Sequence, residues 1–227
     1  MRSNAISFSP DGYFLTSVEG GEHPPLHTMG GPQSIPGAIS PDSGAPLLLV
    51  ATLNLRDARL HVPRTAVERL HLLYSWTCPI SEGPFSYRET ASGVELLQGR
   101  RGDAFDDFPY AGYPAFFPET SLALQRLTEE EQRVILKLNR REDDPIALES
   151  SFSHLAVPAS QIGGEPRLLQ WPLHRFECPE CRRMMPLLAM IGNRNGSERG
   201  FTGNDFVQML FFFCVACSVV TAENVTD

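Results

Sequence analysis

Residues Gly163 to Asn193 read GGEPRLLQWPLHRFECPECRRMMPLLAMIGN, and an earlier stretch, Gly30 to Leu55, reads GGPQSIPGAISPDSGAPLLLVATLNL. Both open with Gly-Gly and a nearby Pro, pass through a variable loop and a tight knuckle, and then enter an apolar run at Pro-Leu-Leu. By letter, PDSG (41–44) stands opposite CPEC (178–181). Each stretch is followed by a second apolar run ending in Cys: LHLLYSWTCPISEGPFSYRE from Leu70, and FVQMLFFFCVACSVVTAEN from Phe206. This places Cys78 opposite Cys214 and Ser81 opposite Cys217. Self-similarity at a fixed order of landmarks is the sign of a repeated structural unit. Short apolar runs bounded by Gly, Pro and Ser fit strands better than helices. The expected fold is α+β, mainly β: a pseudo-duplicated, two-copy β-rich arrangement with a four-cysteine zinc knuckle in the C-terminal copy.

Three segments follow. Residues 1–99 form an N-terminal copy without a metal site, 100–150 an acidic loop and helix that connect, and 151–227 a C-terminal metal-binding copy, all in one compact unit. Residues 5–17 read as a hairpin turning at Pro10-Asp11-Gly12. Residues 128–141 carry the best helix signal. Thr128 and Glu131 make a capping box, Glu129 to Glu131 suit the positive N-terminus, and Val134, Ile135 and Leu138 share a face.

The strongest chemical signal is Cys178-x2-Cys181 with Cys214-x2-Cys217. A CxxC turn delivers two sulfurs to one side, and two such turns complete the tetrahedral thiolate shell that Zn2+ prefers. The 32 residues between the pairs exceed the compact ribbon spacing, so a redox pair, disulfides or unliganded thiols stand as alternatives. With zinc, four thiolates leave no open position, and the site reads as structural. The fifth cysteine, Cys78, reads as a strand-end residue.

The remaining motifs are weaker. His23-x3-His27 has metal spacing, but Pro24 and Pro25 make it an exposed loop. His61, His71, His154 and His174 are scattered. There is no GxSxG elbow and no phosphate loop.

The chain of 227 residues has 27 acidic and 19 basic side chains, 18 of the latter Arg, for a net charge of −8. Nucleic-acid binding shows the opposite sign. The acids concentrate between 100 and 150. Asp103, Asp106, Asp107 and Phe108, with neighbouring Phe105, Tyr110 and Tyr113, are the candidate surface for a basic protein. The longest apolar run, Phe206 to Val220, is too short to span a bilayer, and no secretory leader is evident. A cytoplasmic location is expected.

The Gly163-Gly164-x-Pro166, Trp171-Pro172, CPEC, Met184-Met185, PLLAMI and CVAC series resembles the YwqG-like family. That family is related to the programmed-cell-death-protein-2 proteins and grouped with them as the TYPP domain. The likeness covers residues 160–225 firmly and 30–90 loosely. It implies a two-copy β-rich fold, a zinc knuckle at Cys178, Cys181, Cys214 and Cys217, and no established catalytic residues. It also implies chaperone-like or toxin-immunity roles. The expected function is therefore a non-enzymatic protein-binding module, an immunity protein or dedicated chaperone that covers one basic protein partner. An enzyme using Cys78 or a His between the copies is the alternative.

Overall fold

The computed structural model describes residues 7–18, 25–40, 44–63, 65, 67–75, 84–98, 115–142, 148–170, 173–192 and 207–226. Ser43, Cys78, Ser81 and the acidic-aromatic candidates Asp103, Asp106, Asp107 and Phe108 lie outside the described residues.

Among the described residues the chain forms eleven strands and one α-helix. In chain order they are β1 (Gly12–Val18), β2 (His27–Met29), β3 (Leu48–Asn54), β4 (Arg69–Tyr74), β5 (Phe85–Thr90), β6 (Gly93–Gln98), β7 (Thr120–Arg126), α1 (Glu129–Asn139), β8 (Gln161–Gly163), β9 (Leu187–Gly192), β10 (Val207–Cys214) and β11 (Val219–Thr226). The eleven strands lie in one antiparallel sheet in the order β4-β3-β2-β7-β1-β8-β9-β10-β11-β5-β6. The fold is mainly β, as expected. The hairpin expected over 5–17 is not how β1 pairs. Gly12 opens β1, whose partners are the distant β7 and β8, while Ser7 bridges Leu187 in parallel.

The sheet curls until its β4 edge meets β5, the strand next to the opposite edge, through side chains. Tyr87 on β5 donates its hydroxyl to the His71 carbonyl (2.7 Å) and accepts from the Leu73 amide (2.9 Å), both on β4. Glu89 on β5 accepts from the His71 amide (2.8 Å) and pairs with its ring (Nδ1 to Oε1, 2.6 Å). Three backbone groups of β4, of the kind exposed at any sheet edge, are thus taken by two β5 side chains.

Curling puts one sheet face inside. Leu15, Met29, Leu53, Leu70, Leu72, Tyr87, Met209, Phe211 and Phe213 belong to this inner core. The outer face of β9–β11 is covered as well. Leu187, Met190, Leu210, Phe212 and Val219 pack there with Leu168, Met185 and two cysteines. Strand periodicity explains the FFFC run of β10: Phe211 and Phe213 face inward, Phe212 and Cys214 outward, and both faces are buried. Elsewhere on the outside, α1 and the 3-10 turn Ser150–Leu155 cover Phe14 of β1 with Leu127, Ile135, Leu138 and Leu155. The capping box is present: Thr128 Oγ1 accepts from the Glu131 amide (3.1 Å), and Glu131 accepts from the Thr128 amide (2.7 Å). Such a cap contributes about 1 kcal/mol.

His27 is not an exposed loop residue. It opens β2 and is 1 % exposed. Its Nδ1 accepts from the Asn54 amide (3.1 Å), so its Nε2 carries the proton and donates to Asp57 (2.9 Å). Asp57 also caps the 3-10 turn Ala58–Leu60 through the Arg59 amide and grips the Arg59 side chain. Burial pushes the His27 ring below its ordinary 6.5. Burial also works to raise Asp57, but its bonds to Arg59 and His27 outweigh that and hold the carboxyl well below 3.8.

Both folded values are depressed, so both groups contribute stability above their unfolded values that is lost as pH falls. Loss begins near pH 6.5 with His27 and extends below pH 4 with Asp57. Thermal melts across pH 4–7 should therefore show falling stability. In H27Q the portion above about pH 5 should flatten. An unchanged profile in that variant would remove the assignment to His27.

Candidate metal centre

Each knuckle is a turn set by the strands around it. In the first, the Glu177–Met184 bridge closes a small hairpin ahead of β9. Within it, the Cys178 amide donates to the Arg183 carbonyl (2.8 Å) and the Arg182 amide to the Cys178 carbonyl (2.9 Å). The second knuckle is the turn between β10 and β11. Cys214 and Val219 are the last paired residues, and the Cys217 amide donates to the Cys214 carbonyl (3.2 Å). The residue after each second cysteine is left-handed, Arg182 at φ 60° and Ser218 at φ 53°. That conformation costs a non-glycine residue of order 1 kcal/mol or more and persists where surrounding structure over-determines it.

Because β9 and β10 are neighbours, the two turns sit at one end of the sheet, and the four sulfurs lie within 4.8 Å of one another. All four are free thiols. Cys178 and Cys214 are buried; Cys181 and Cys217 are partly exposed. The Cys181–Cys214 sulfur separation is 3.7 Å, and the edge of a tetrahedron with Zn–S near 2.3 Å is about 3.8 Å. The four cysteines named from the sequence are brought together and could hold a metal ion.

The electrostatics of the cluster are uneven. The Arg183 backbone and side chain donate to Cys181 and bring its thiol down to about 6, a thiolate at neutral pH. Desolvation and the adjacent sulfurs of Cys181 and Cys214 push Cys217 up to about 12, and burial raises Cys214. The protein alone favours a negative sulfur at Cys181 and opposes one at Cys214 and Cys217. Charging all four requires a cation between them.

The cluster is fixed from behind. Phe176 meets Phe212 edge-on at 4.8 Å, and Met185 and Leu168 complete an apolar floor. Arg88 on β5 holds Glu180, inside the first CxxC, at 2.6 Å. His174 Nδ1 lies 2.6 Å from the buried Glu223 on β11.

Three buried amides that sequence reasoning missed tie down the approach to the knuckle. Asn139, at the end of α1, donates to the Pro166 carbonyl (2.6 Å) and accepts from the Leu168 amide (3.0 Å). Gln208 accepts from the Leu169 amide (3.1 Å) and donates to the Arg167 carbonyl (2.8 Å). Gln161 donates to the Gly163 and Glu165 carbonyls (2.8 and 2.7 Å). Only Gln208 left a trace in the sequence, as a polar residue inside an apolar strand. Burial of such a residue is favoured when its hydrogen bonds are made, as the amide oxygen and nitrogen of Gln208 make theirs.

The other candidates do not converge. His61, His71, His154 and His174 pair with Asp11, Glu89, Glu131 and Glu223, each in a different place. His154 lines a cleft of about 510 Å³ beside β1, but its partner Glu131 is committed to the α1 cap. No helix among the described residues is long and apolar enough to cross a membrane. No family model, no curated protein and no solved structure matches the chain.

Proposed function

We propose that Cys178, Cys181, Cys214 and Cys217 hold one structural Zn2+ and that the chain is a non-enzymatic protein-binding module. The observation that carries the zinc reading is the convergence of four free sulfurs, two from each of two turns, within 4.8 Å of one another over an apolar floor, with the Cys181–Cys214 pair at 3.7 Å. Four thiolates fill the coordination shell, so the metal would cross-link the hairpin ahead of β9 to the β10–β11 turn and leave no position for a substrate.

A basic protein partner fits the charge of −8, since opposite net charge speeds encounter and disfavours nucleic acid. The resemblance to the YwqG-like family gives this partner role its form, an immunity protein or a dedicated chaperone. Affinity purification of the tagged chain from its native host provides the test. One basic protein should co-purify in fixed proportion and leave as salt is raised. A chain that elutes alone at low salt overturns the binding role. A zinc-free chain with an ordinary melting curve overturns the metal role.

A further inference from the structure

The four sulfurs of the cluster differ in access and in neighbours. Cys178 and Cys214 are buried, whereas Cys181 and Cys217 are partly exposed. Of the two exposed ones, Cys181 has a cation beside it, because the backbone and side chain of Arg183 both donate to its sulfur. That sulfur lies 3.7 Å from the sulfur of Cys214, which belongs to the other turn. A disulfide needs a separation of about 2.0 Å, so a closing movement of about 1.7 Å joins them.

The two residues also differ in how they are held. Cys214 is the last residue of β10 and pairs with Val219 on β11. Cys181 sits in the small hairpin closed by the Glu177–Met184 bridge. The exposed sulfur is thus on the smaller element, and the buried one is fixed in the sheet. An accessible cysteine beside a cation, with a second sulfur at hand, has the layout of a peroxide-sensitive pair.

We propose that Cys181 and Cys214 form such a pair, and that their disulfide releases the metal while keeping the same two turns joined. Both sulfurs react as thiolates, the form that binds metal. Cys181 Sγ attacks one oxygen of a hydroperoxide. The O–O bond breaks, hydroxide leaves, and Cys181 becomes a sulfenic acid. The Arg183 guanidinium is placed to hydrogen-bond the departing oxygen. Cys214 Sγ then attacks Cys181 Sγ, the S–O bond breaks with loss of a second hydroxide, and the S–S bond forms. The two sulfurs lose two electrons, the peroxide gains them, and solvent protonates both hydroxides.

The choice of partner decides the outcome for the fold. A disulfide within one CxxC would leave the hairpin and the β10–β11 turn unlinked. The Cys181–Cys214 bond joins them covalently across 32 intervening residues. It leaves only Cys178 and Cys217 as thiolates, half of a tetrahedral zinc shell. Metal release rests on the zinc reading, and the pairing of the two sulfurs does not.

The test uses the full native chain, reduced, with its zinc content measured first. Hydrogen peroxide is added in slight excess over protein, in the presence of a chelating dye. Cleavage at Glu180 separates Cys178 from Cys181, and tandem mass spectrometry distinguishes Cys214 from Cys217. The expected product has lost two hydrogens, links Cys181 to Cys214, and has released one zinc per disulfide. A thiol reductant with added zinc should restore the starting mass and metal content. The β10 amides of the oxidised chain should stay protected from exchange, in contrast to those of the chelated chain. In a zinc-loaded chain, no disulfide, a disulfide within either CxxC, or sulfinic acid at Cys181 instead overturns the proposal and leaves the zinc reading standing. Exchange as fast as in the chelated chain overturns the cross-link. A reduced chain that holds no zinc and still links Cys181 to Cys214 supports the pair and overturns the zinc reading.

Discussion

With Zn2+ on the four cysteines as proposed, its removal by chelation, or the loss of one ligand by C214S, is expected to unfold the knuckle turns and the strands β9–β11 that carry them. Thiolate zinc sites contribute an apparent 10 to 16 kcal/mol, roughly, to the domains they hold. Whole domains are stable by only about 5–15 kcal/mol, so loss of the site can exceed the entire margin. The local structure points the same way. The hairpin carrying Cys178 and Cys181 is held by one bridge, the Arg88–Glu180 pair and the Phe176 contact. Without a cation, burial and the neighbouring sulfurs oppose negative charge on Cys214 and Cys217. Amide exchange should accelerate first across β9, β10 and β11, while α1 keeps more of its protection, because its contacts lie with Phe14 and Leu155. Chelation should also be easier as pH falls, since protons compete for the thiolates. A chelated chain whose β10 amides exchange at the wild-type rate would refute this.

The sequence was most legible where chemistry is local. A CxxC turn is four residues long, and the Thr128–Glu131 cap spans one helical turn, so each could be found without knowing the fold. The mainly β class followed from short apolar runs. What escaped was non-local. The β1–β7 pairing joins residues about a hundred positions apart, and no periodicity announces it. His27 followed two prolines and read as loop, yet an amide and a carboxylate supplied from elsewhere satisfy both ring nitrogens and allow its burial. Asn139 and Gln161 were invisible for the same reason: what matters about them is which distant carbonyls they meet.

The seam between β4 and β5 is where the second large effect is expected. An edge strand must satisfy its outward amides and carbonyls by a neighbouring strand, water or side chains. Here Tyr87 does part of this, fully buried, with its ring stacked against Phe85 at 5.8 Å. Burial pushes its phenol well above 10, so it stays neutral and can donate and accept at once. Y87F keeps the ring and deletes both bonds, leaving the His71 carbonyl and Leu73 amide without this partner. The expected loss is about 1–3 kcal/mol. Y87A also empties ring-sized space in the inner core, and its total loss should reach about 3–5 kcal/mol. Denaturant midpoints should fall in the order wild type, Y87F, Y87A with little change in slope, since the surface exposed on unfolding is nearly the same. The Leu73 amide is the internal control: its exchange should rise more in Y87F than that of amides in β9, where the inner face is untouched. If Y87F matches wild type within about 0.5 kcal/mol and Leu73 remains protected, the β4 edge is held by Glu89 alone, and the phenol bonds contribute nothing to closing the sheet.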